Sequence, residues 1–275
     1  MPHFETRWPT TDGLNLYGQG WTPPGKTKAV ISLVHGVGEH SGRYEHVANF
    51  FNEKGYTFYA FDHRGHGKSP GPRGHFPTYE TVMQDIACHL EQTKKRFPNK
   101  PVVLYGHSMG GNLVLNFVLR HHPDVTGVIV TSPLLRLSFQ PPKIKIMLAN
   151  LLMRVWPTLS MPSGLDTADF SHDPEANQKY DDDPLNHKKV TPCFLNLIEA
   201  GEWALEHADK FPKPLLLMHG GADRITSAEN SRVFAEKAGD QCTLKIWDNL
   251  YHELHNEYEK QDVLETMVKW IRTIL

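Results

Sequence analysis

Ser108 has the sequence setting of an activated nucleophile. It stands in the run Gly106-His107-Ser108-Met109-Gly110, between apolar residues 102–104 and a mostly apolar stretch over 112–120. A serine on a sharp strand-to-helix turn holds its hydroxyl above the sheet, and the flanking positions are glycines because side chains there would collide with neighbouring backbone. Such a serine can attack a carbonyl carbon once a base accepts its proton.

A base and a carboxylate for this serine can be found later in the chain. Asp223 and His252 each lie in a loop just after a predicted strand, so we expect them at the same sheet edge as Ser108. The order serine, acid, histidine is the one expected for this kind of sheet. Two other bases and two other acids remain as alternatives: His219, His255, Asp209 and Asp248.

A loop near the N-terminus could stabilise the negative charge that such an attack creates. His35-Gly36-Val37-Gly38 follows the apolar run Ala29–Val34, and its glycines let backbone N–H groups turn toward a ligand. Met109 would begin the helix after Ser108, where the N–H groups have no partner within the helix. The N–H groups of Val37 and Met109 are therefore candidates for an oxyanion hole. The alternative for the first loop is a plain turn at a strand end.

The elements that must position these residues alternate between apolar strands and amphipathic helices. A hairpin at the sheet edge is followed by strand-helix repeats, which predict an α/β fold with a mostly parallel sheet and helices on both faces. Asp62–Ser69 is rich in glycine but lacks the spacing of a phosphate loop, so we expect a packed loop beneath the site. The predicted strands cover Phe4–Trp8, Leu14–Trp21, Ala29–Val34, Tyr56–Phe61, Val102–Leu104, Val128–Val130, Leu215–Met218 and Thr243–Trp247. The predicted helices cover Tyr44–Lys54, Pro77–Phe97, Asn112–Arg120, Ser227–Ala238 and Glu257–Ile274.

The strand-helix rhythm is interrupted once. We therefore expect a core in two parts, 1–134 and 196–275, with 135–195 inserted between them as a cap. In this insertion Ile144–Trp156 predicts a helix, and the rest is turn-rich. The apolar residues of that helix are too many for one buried stripe. Either the helix packs over the core, or it is a lid with an apolar outer face whose basic residues meet anionic headgroups.

Composition excludes several classes of protein. A net charge of −2 offers no basic surface for nucleic acid, and no apolar run reaches the 18 residues expected of a membrane span. The N-terminal residues lack the pattern of a signal peptide, so we expect an intracellular, cytoplasmic protein with its three cysteines reduced. The 17 histidines form no H-E-x-x-H motif, and no metal site is predicted.

Several motifs together resemble the monoacylglycerol lipase family of the α/β-hydrolases, over essentially the whole chain. They are His35–Tyr44, Phe61–Ser69, Gly106–Gly111, Gly221–Arg224 and Tyr251–Glu257. One departure is Thr226, which stands where some relatives have a cysteine, so thiol sensitivity is not expected there.

The resemblance implies an α/β-hydrolase fold and the hydrolysis of long-chain monoacylglycerols to fatty acid and glycerol, with no metal or organic cofactor. It implies a triad of Ser108, Asp223 and His252, and an oxyanion hole at Val37 and Met109. It also implies contacts with the glycerol moiety from four residues: Glu39, Arg43, Tyr180 and His255. Separately from the resemblance, the apolar and basic residues of Ile144–Trp156 lead us to expect that the cap contacts a membrane or lipid-droplet surface.

Two alternatives to this activity stay open at the level of sequence. The first is another acyl hydrolase, either a lysophospholipase or a general carboxylesterase. The second is a protein that binds lipid on the same fold without catalysis, because a fold does not guarantee activity. Scaffolds used in that way usually lack one triad residue, whereas Ser108, Asp223 and His252 are all present here.

Overall fold

The computed structural model describes residues 2–275 and contains an eight-stranded sheet. Its strands are β1 His3–Pro9, β2 Asn15–Trp21, β3 Val30–Val34, β4 Thr57–Phe61, β5 Val102–His107, β6 Gly127–Thr131, β9 Leu215–Gly220 and β10 Cys242–Trp247. Their spatial order is β1-β2-β4-β3-β5-β6-β9-β10. The hairpin β1–β2 lies at one edge and pairs antiparallel with β4, and the remaining pairs are parallel. The predicted edge hairpin and mostly parallel sheet are thus confirmed.

Helices cover both faces of this sheet. They are α1 Glu45–Glu53, α2 Tyr79–Arg96, α3 Met109–His121, α6 Leu195–Glu206, α7 Ala228–Ala238 and α8 Lys260–Ile274. Side chains of a strand alternate between faces, so Val30 and Val34 pack with α2, α3, α6 and α7 while Ile31 and Leu33 pack with α1 and α8. The two apolar cores hold the strand ends, and therefore the loops that follow them, in fixed positions.

Helices α2 and α8 begin later than the sequence-based expectation, α8 at Lys260 instead of Glu257. Helix α2 begins at Tyr79 instead of Pro77, because the Thr78 side chain accepts the hydrogen bond of the Thr81 N–H and caps the helix there. Helix α3 begins at Met109, directly after Ser108, as expected for Met109 and three residues before the apolar stretch that starts at Asn112. The earlier start places the N-terminus of α3 beside the serine.

Residues 135–195 lie outside the main sheet. They contain α4 Lys143–Val155, α5 Pro174–Asp182 and a two-stranded sheet of β7 Met161–Pro162 and β8 Lys189–Val190. Helix α4 confirms the helix predicted in this segment, and none of its residues is buried. Helix α5 was not expected, because its segment was described as turn-rich from the sequence. It forms because Asp173 caps its first turn and Pro174 occupies the position where a missing N–H costs nothing.

Across residues 2–275, none of the helices has the length and apolar character needed to span a bilayer.

The loop Asp62–Ser69 packs beneath the site, as expected from the sequence. The buried Asp62 carboxylate accepts hydrogen bonds from the Ser41 N–H at 2.8 Å and the Lys68 N–H at 2.7 Å. His63 and His66 of this loop cluster with His35, whose ring centroid lies 4.4 Å from that of His63 and 5.4 Å from that of His66. Burial holds the pKa of each of these three histidines well below its ordinary value.

This histidine cluster should make the fold sensitive to mild acid. The three rings are neutral in the folded protein but gain protons in the unfolded chain below about pH 6.5, so the unfolded state binds more protons as the pH falls. These three rings alone should lower the free energy of unfolding by about 4 kcal/mol per pH unit once the pH is well below 6.5, and other buried histidines with a lowered pKa add to this fall. Chemical denaturation between pH 7.5 and 5.5 measures it.

The control for this prediction is His121→Gln, because the side chain of His121 is exposed. This variant should follow the same curve as the wild type, whereas His66→Gln should flatten it. A free energy of unfolding that stays constant from pH 7.5 to 5.5 would contradict the assigned neutral cluster.

Candidate active site

Ser108 occupies a strained turn between β5 and α3. Its backbone has φ 54° and ψ −116°, a left-handed conformation that a residue with a side chain rarely adopts. Hydrogen bonds hold the turn in place: the Ser108 N–H donates to the Thr131 carbonyl at 3.0 Å, and the Leu134 N–H donates to the Ser108 carbonyl at 3.1 Å. Such strain costs about 1–3 kcal/mol and persists only where the surrounding structure enforces it.

The flanking glycines allow the close approach that this turn requires. A Cβ at Gly106 would lie 2.5 Å from the Gly110 carbonyl oxygen, and a Cβ at Gly110 would collide with the carbonyl oxygens of Val34 and His35. The G-x-S-x-G spacing is therefore a steric requirement of the packing of β3, β5 and α3, as the sequence pattern predicts.

His252 bridges the serine and a carboxylate. Its Nε2 lies 2.8 Å from the Ser108 Oγ, and its Nδ1 lies 2.7 Å from the Asp223 Oδ2. The three side chains are buried and come from three separate loops at the carboxyl edge of the sheet. This arrangement has the hydrogen-bonded order in which a histidine accepts a proton from a serine and a carboxylate orients the ring.

Besides His252, several other groups hold the Asp223 carboxylate in place. Its Oδ1 accepts the N–H groups of Ile225 at 2.7 Å and Thr226 at 3.0 Å. Its Oδ2 accepts the Thr226 hydroxyl at 2.8 Å and lies 3.1 Å from the Nε2 of His219. Both oxygens therefore have fixed partners, which limits rotation of the carboxylate.

The charges of this pair stabilise each other. Burial alone would raise the pKa of Asp223, but the interaction with His252 and the hydrogen bonds from His219 and His252 hold it well below its ordinary value. Burial alone would lower the pKa of His252, but the Asp223 carboxylate outweighs burial and raises it. A carboxylate that stays ionised favours the protonated imidazole that forms when the serine attacks.

Among the alternative acids and bases, neither acid pairs with His252 and His219 contacts the carboxylate instead of the serine. Asp209 and Asp248 are exposed, and the carboxylate that pairs with His252 is that of Asp223. His219 is fully buried beside Asp223, and its Nδ1 lies 2.7 Å from the Ser231 hydroxyl. His219 was an alternative base from the sequence, and in the structure its Nε2 instead lies 3.1 Å from the Asp223 carboxylate.

The loop after β3 lies against the serine. A Cβ at Gly36 would lie 3.3 Å from the Ser108 Cβ, and Val37 lines the same small cavity as Ser108. The Tyr180 hydroxyl of α5 donates to the Gly38 carbonyl at 3.0 Å, which ties this loop to residues 135–195. Met109, the first residue of α3, adjoins Ser108 on the other side.

Two buried glutamates share one arginine near this cavity. The Arg43 guanidinium donates to Glu39 at 2.8 Å and to both carboxylate oxygens of Glu253 at 2.8 Å. Burial raises the pKa of Glu39 despite Arg43, whereas for Glu253 the arginine outweighs burial and the pKa is lowered. Glu39 and Glu253 line the cavity with Ser108, so its wall is acidic.

Of the four residues expected to contact glycerol, two line the Ser108 cavity and two do not. Glu39 and Tyr180 line the Ser108 cavity, whereas Arg43 lies behind Glu39 and Glu253 and faces a separate cavity of about 290 Å³. His255 is fully buried and stacks on Tyr44 at 4.7 Å, away from the cavity wall.

The position of His255 corrects the expected substrate contact. His255 belongs to the short 3₁₀ helix Leu254–Asn256, which turns its ring inward. Glu253, which was not predicted, takes a place at the cavity wall. Its charge beside His252 in the sequence was the available signal.

The cavity above Ser108 is small. Its volume is about 20 Å³, and Leu165, Phe170 and Tyr180 of residues 135–195 close it from above. One water molecule needs about 10–15 Å³, so this arrangement has no room for a large ligand. Within residues 2–275 no three His, Cys, Asp or Glu side chains are grouped as metal ligands.

Comparison with known proteins identifies the family of the chain. Residues 25–259 match the family model described as Serine aminopeptidase, S33. The chain is 32% identical to the Monoacylglycerol lipase of Mycolicibacterium smegmatis, covering 94% of this chain and 93% of that protein. It is 37% identical to an uncharacterized abhydrolase domain-containing protein of Dictyostelium discoideum, of which it spans 28% of the length.

A solved structure extends the similarity to three dimensions. The crystal structure of Paleococcus ferrophilus monoacylglycerol lipase has a TM-score of 0.84 and 31% sequence identity, with all of both chains covered. The strand order, the helices on both faces and the family match together confirm the α/β-hydrolase fold. This chain belongs to the monoacylglycerol lipase family of the α/β-hydrolases and is a serine hydrolase that cleaves esters.

Proposed function

We propose that this enzyme hydrolyses long-chain monoacylglycerols to fatty acid and glycerol, with Ser108, His252 and Asp223 as its catalytic triad. The observation that carries the proposal is the hydrogen-bonded chain from the Ser108 Oγ through His252 to Asp223, with distances of 2.8 and 2.7 Å. Relatives named as monoacylglycerol lipases supply the substrate class.

The reaction proceeds in two acyl transfers. The Ser108 Oγ attacks the ester carbonyl carbon as His252 Nε2 takes its proton, and the carbonyl oxygen becomes an oxyanion. The intermediate collapses, the bond to the glycerol oxygen breaks, and His252 returns the proton to that oxygen. Water then attacks the acyl-enzyme with His252 again as the base, which releases the fatty acid and restores Ser108.

The backbone N–H groups of Val37 and Met109 form the oxyanion hole in this proposal. Two features support it: Val37 and Ser108 line one cavity, and Met109 stands at the N-terminus of α3, where N–H groups carry partial positive charge. Glu39 and Tyr180 offer polar contacts for the glycerol hydroxyls at the cavity wall. Arg43 acts indirectly by holding Glu39 and Glu253.

The acidic wall favours a neutral alcohol over a phosphorylated one. A phosphate would bring negative charge beside Glu39 and Glu253, of which Arg43 neutralises only one, and like charges in a desolvated site cost several kcal/mol. We expect kcat/KM for 1-oleoylglycerol to exceed that for oleoyl lysophosphatidate by at least about 100-fold.

Hydrolysis rates on three substrates distinguish a monoacylglycerol lipase from a lysophospholipase and a general carboxylesterase. Oleoylglycerol, oleoyl lysophosphatidate and a short-chain ester are compared under one condition. A higher kcat/KM on the lysophospholipid would indicate a lysophospholipase, and a strong preference for the short ester would indicate a general carboxylesterase. Either result would overturn the proposed substrate.

Residues 135–195 act as a cap in this proposal, between core parts 1–134 and 196–275. A long acyl chain needs far more room than the cavity of about 20 Å³ provides, so the cap moves to admit it. The exposed apolar side chains of α4 suit a lipid surface, either a membrane or a lipid droplet: Ile144, Met147, Leu148, Leu151 and Val155 are 52–69% exposed. Lys143, Lys145 and Arg154 on the same helix suit anionic headgroups.

Removing apolar area from this helix should weaken contact with lipid. The double variant Leu148→Ser/Leu151→Ser is expected to co-sediment with phosphatidylcholine/phosphatidylserine vesicles at least about tenfold less well, because each buried leucine contributes more than about 1 kcal/mol. Leu275→Ser is the matched control, because Leu275 and Leu148 are both 52% exposed. Equal sedimentation of both variants would refute the docking role of α4.

A further inference from the structure

Glu257 is a fully buried acidic residue that takes no part in the reaction described above. Its Oε1 accepts the Tyr251 N–H at 2.6 Å, and its Oε2 accepts the His172 N–H at 2.9 Å. The Ser171 hydroxyl adds a third hydrogen bond at 3.2 Å. The carboxylate therefore joins residue 251, directly before His252, to a segment of the cap.

The cap contacts the other side of His252 as well. The Glu253 N–H donates to the Phe170 carbonyl at 2.7 Å. The residues on both sides of the catalytic histidine, Tyr251 and Glu253, are thus tied through their N–H groups to nearby cap residues, one through Glu257 and one directly. The His252 ring itself is held by Ser108 and Asp223, and its Nδ1 also lies 3.3 Å from the Thr226 hydroxyl.

Stacked side chains reinforce this connection. The His172 ring lies on the Tyr251 ring with centroids 3.7 Å apart, and the Nδ1 of His172 is 3.0 Å from the Glu257 Oε1. On the acid side of the triad, Arg224 lies 4.7 Å from the Tyr251 ring centroid and forms an ion pair with Asp169 at 3.2 Å. The residue after Asp223 and the residue before His252 therefore both contact the cap.

We propose that Glu257 is a positioning residue, whose buried carboxylate couples the orientation of His252 to the placement of cap segment Phe170–His172. Phe170 of the same segment closes the cavity above Ser108. A movement of this segment that admits an acyl chain acts on the bonds that hold the histidine loop. The enzyme thereby links access to the serine with alignment of its base. This inference rests on the proposed triad.

The test is Glu257→Gln, assayed with p-nitrophenyl butyrate at a temperature where both proteins are folded. Glutamine keeps the size of the side chain but replaces one acceptor oxygen by an NH₂ group, which opposes the N–H donors of Tyr251 or His172. We expect kcat to fall about 10- to 100-fold while KM stays within about twofold, because misalignment of a catalytic group acts on the chemical step. The acid limb of the kcat/KM profile should move to lower pH as the Asp223–His252 pair weakens.

A second variant and a second measurement keep the test decisive. His172→Ala removes a ring whose side chain is 40% exposed, so it should fold even if Glu257→Gln does not, and kcat should fall severalfold at unchanged KM. Glu202→Gln, an exposed glutamate paired with Arg136, is the control and should keep the wild-type values. The downfield proton resonance of the His252 Nδ1–H should shift or broaden in either site variant.

The proposal would be overturned if both site variants fold and keep the wild-type kcat, the wild-type acid limb of the kcat/KM profile and the wild-type proton resonance. A lowered melting temperature with wild-type kcat and resonance would also overturn it, since that is the outcome of a purely structural role. If the wild type itself fails to cleave the ester, the proposed function fails. The resonance then still tests the coupling between cap and histidine.

Discussion

Replacing Ser108 with alanine is expected to lower kcat for monoacylglycerol hydrolysis by about 10⁶-fold, because no other group can form the acyl-enzyme. Ser108 supplies the only hydroxyl that lies at hydrogen-bond distance from the His252 Nε2 among the described residues 2–275. The variant should fold normally, because the backbone bonds that fix the turn do not involve the Oγ.

Hydrolysis of p-nitrophenyl butyrate and of 1-oleoylglycerol measures this loss, with circular dichroism and thermal unfolding to verify the fold. Both substrates are needed because the first does not require a lipid surface. A folded Ser108→Ala protein that keeps more than about 1% of wild-type kcat would contradict the assignment of the nucleophile.

Replacing Asp223 with asparagine should lower kcat by about 10⁴-fold. An ionised carboxylate accepts the His252 Nδ1–H and leaves Nε2 free to take the serine proton, whereas an amide NH₂ opposes that tautomer. The side-chain carbonyl of the introduced asparagine can still accept the backbone N–H groups of Ile225 and Thr226, so the loop should keep its shape.

The matched controls for this prediction are Asp209→Asn and Asp248→Asn, the two other acids that the sequence offered. Both carboxylates are exposed, so both variants should keep wild-type kcat. A tenfold or smaller effect of Asp223→Asn, or a large effect of either control, would move the acid role away from Asp223.

The sheet and the positions of the three proposed catalytic residues could be predicted because each depends on local sequence. Buried strands are apolar runs such as 29–34 and 102–104, and the residues that follow such strands meet at one edge. The glycines around Ser108 reflect a steric requirement of the chain itself. Local signals of this kind need no knowledge of distant contacts.

The supporting contacts could not be predicted because they join side chains far apart in sequence. Glu257 meets His172 across 85 residues, and Arg43 meets Glu253 across 210 residues. No periodic pattern of residues in the sequence predicts such pairs. For His255 the resemblance implied a substrate contact, but the stacking on Tyr44 that turns its ring inward depends on packing from another part of the chain.

The most direct test of the account is to identify the residue that a fluorophosphonate probe modifies. The folded wild-type protein is labelled at pH 7.5, digested and analysed by mass spectrometry, with His252→Ala labelled in parallel. The account predicts one adduct, on Ser108, with at least about 10³-fold slower labelling in His252→Ala because the serine has lost its base. A folded wild-type protein that remains unlabelled, or that carries its adduct on another residue, would contradict the central claim that His252 activates Ser108.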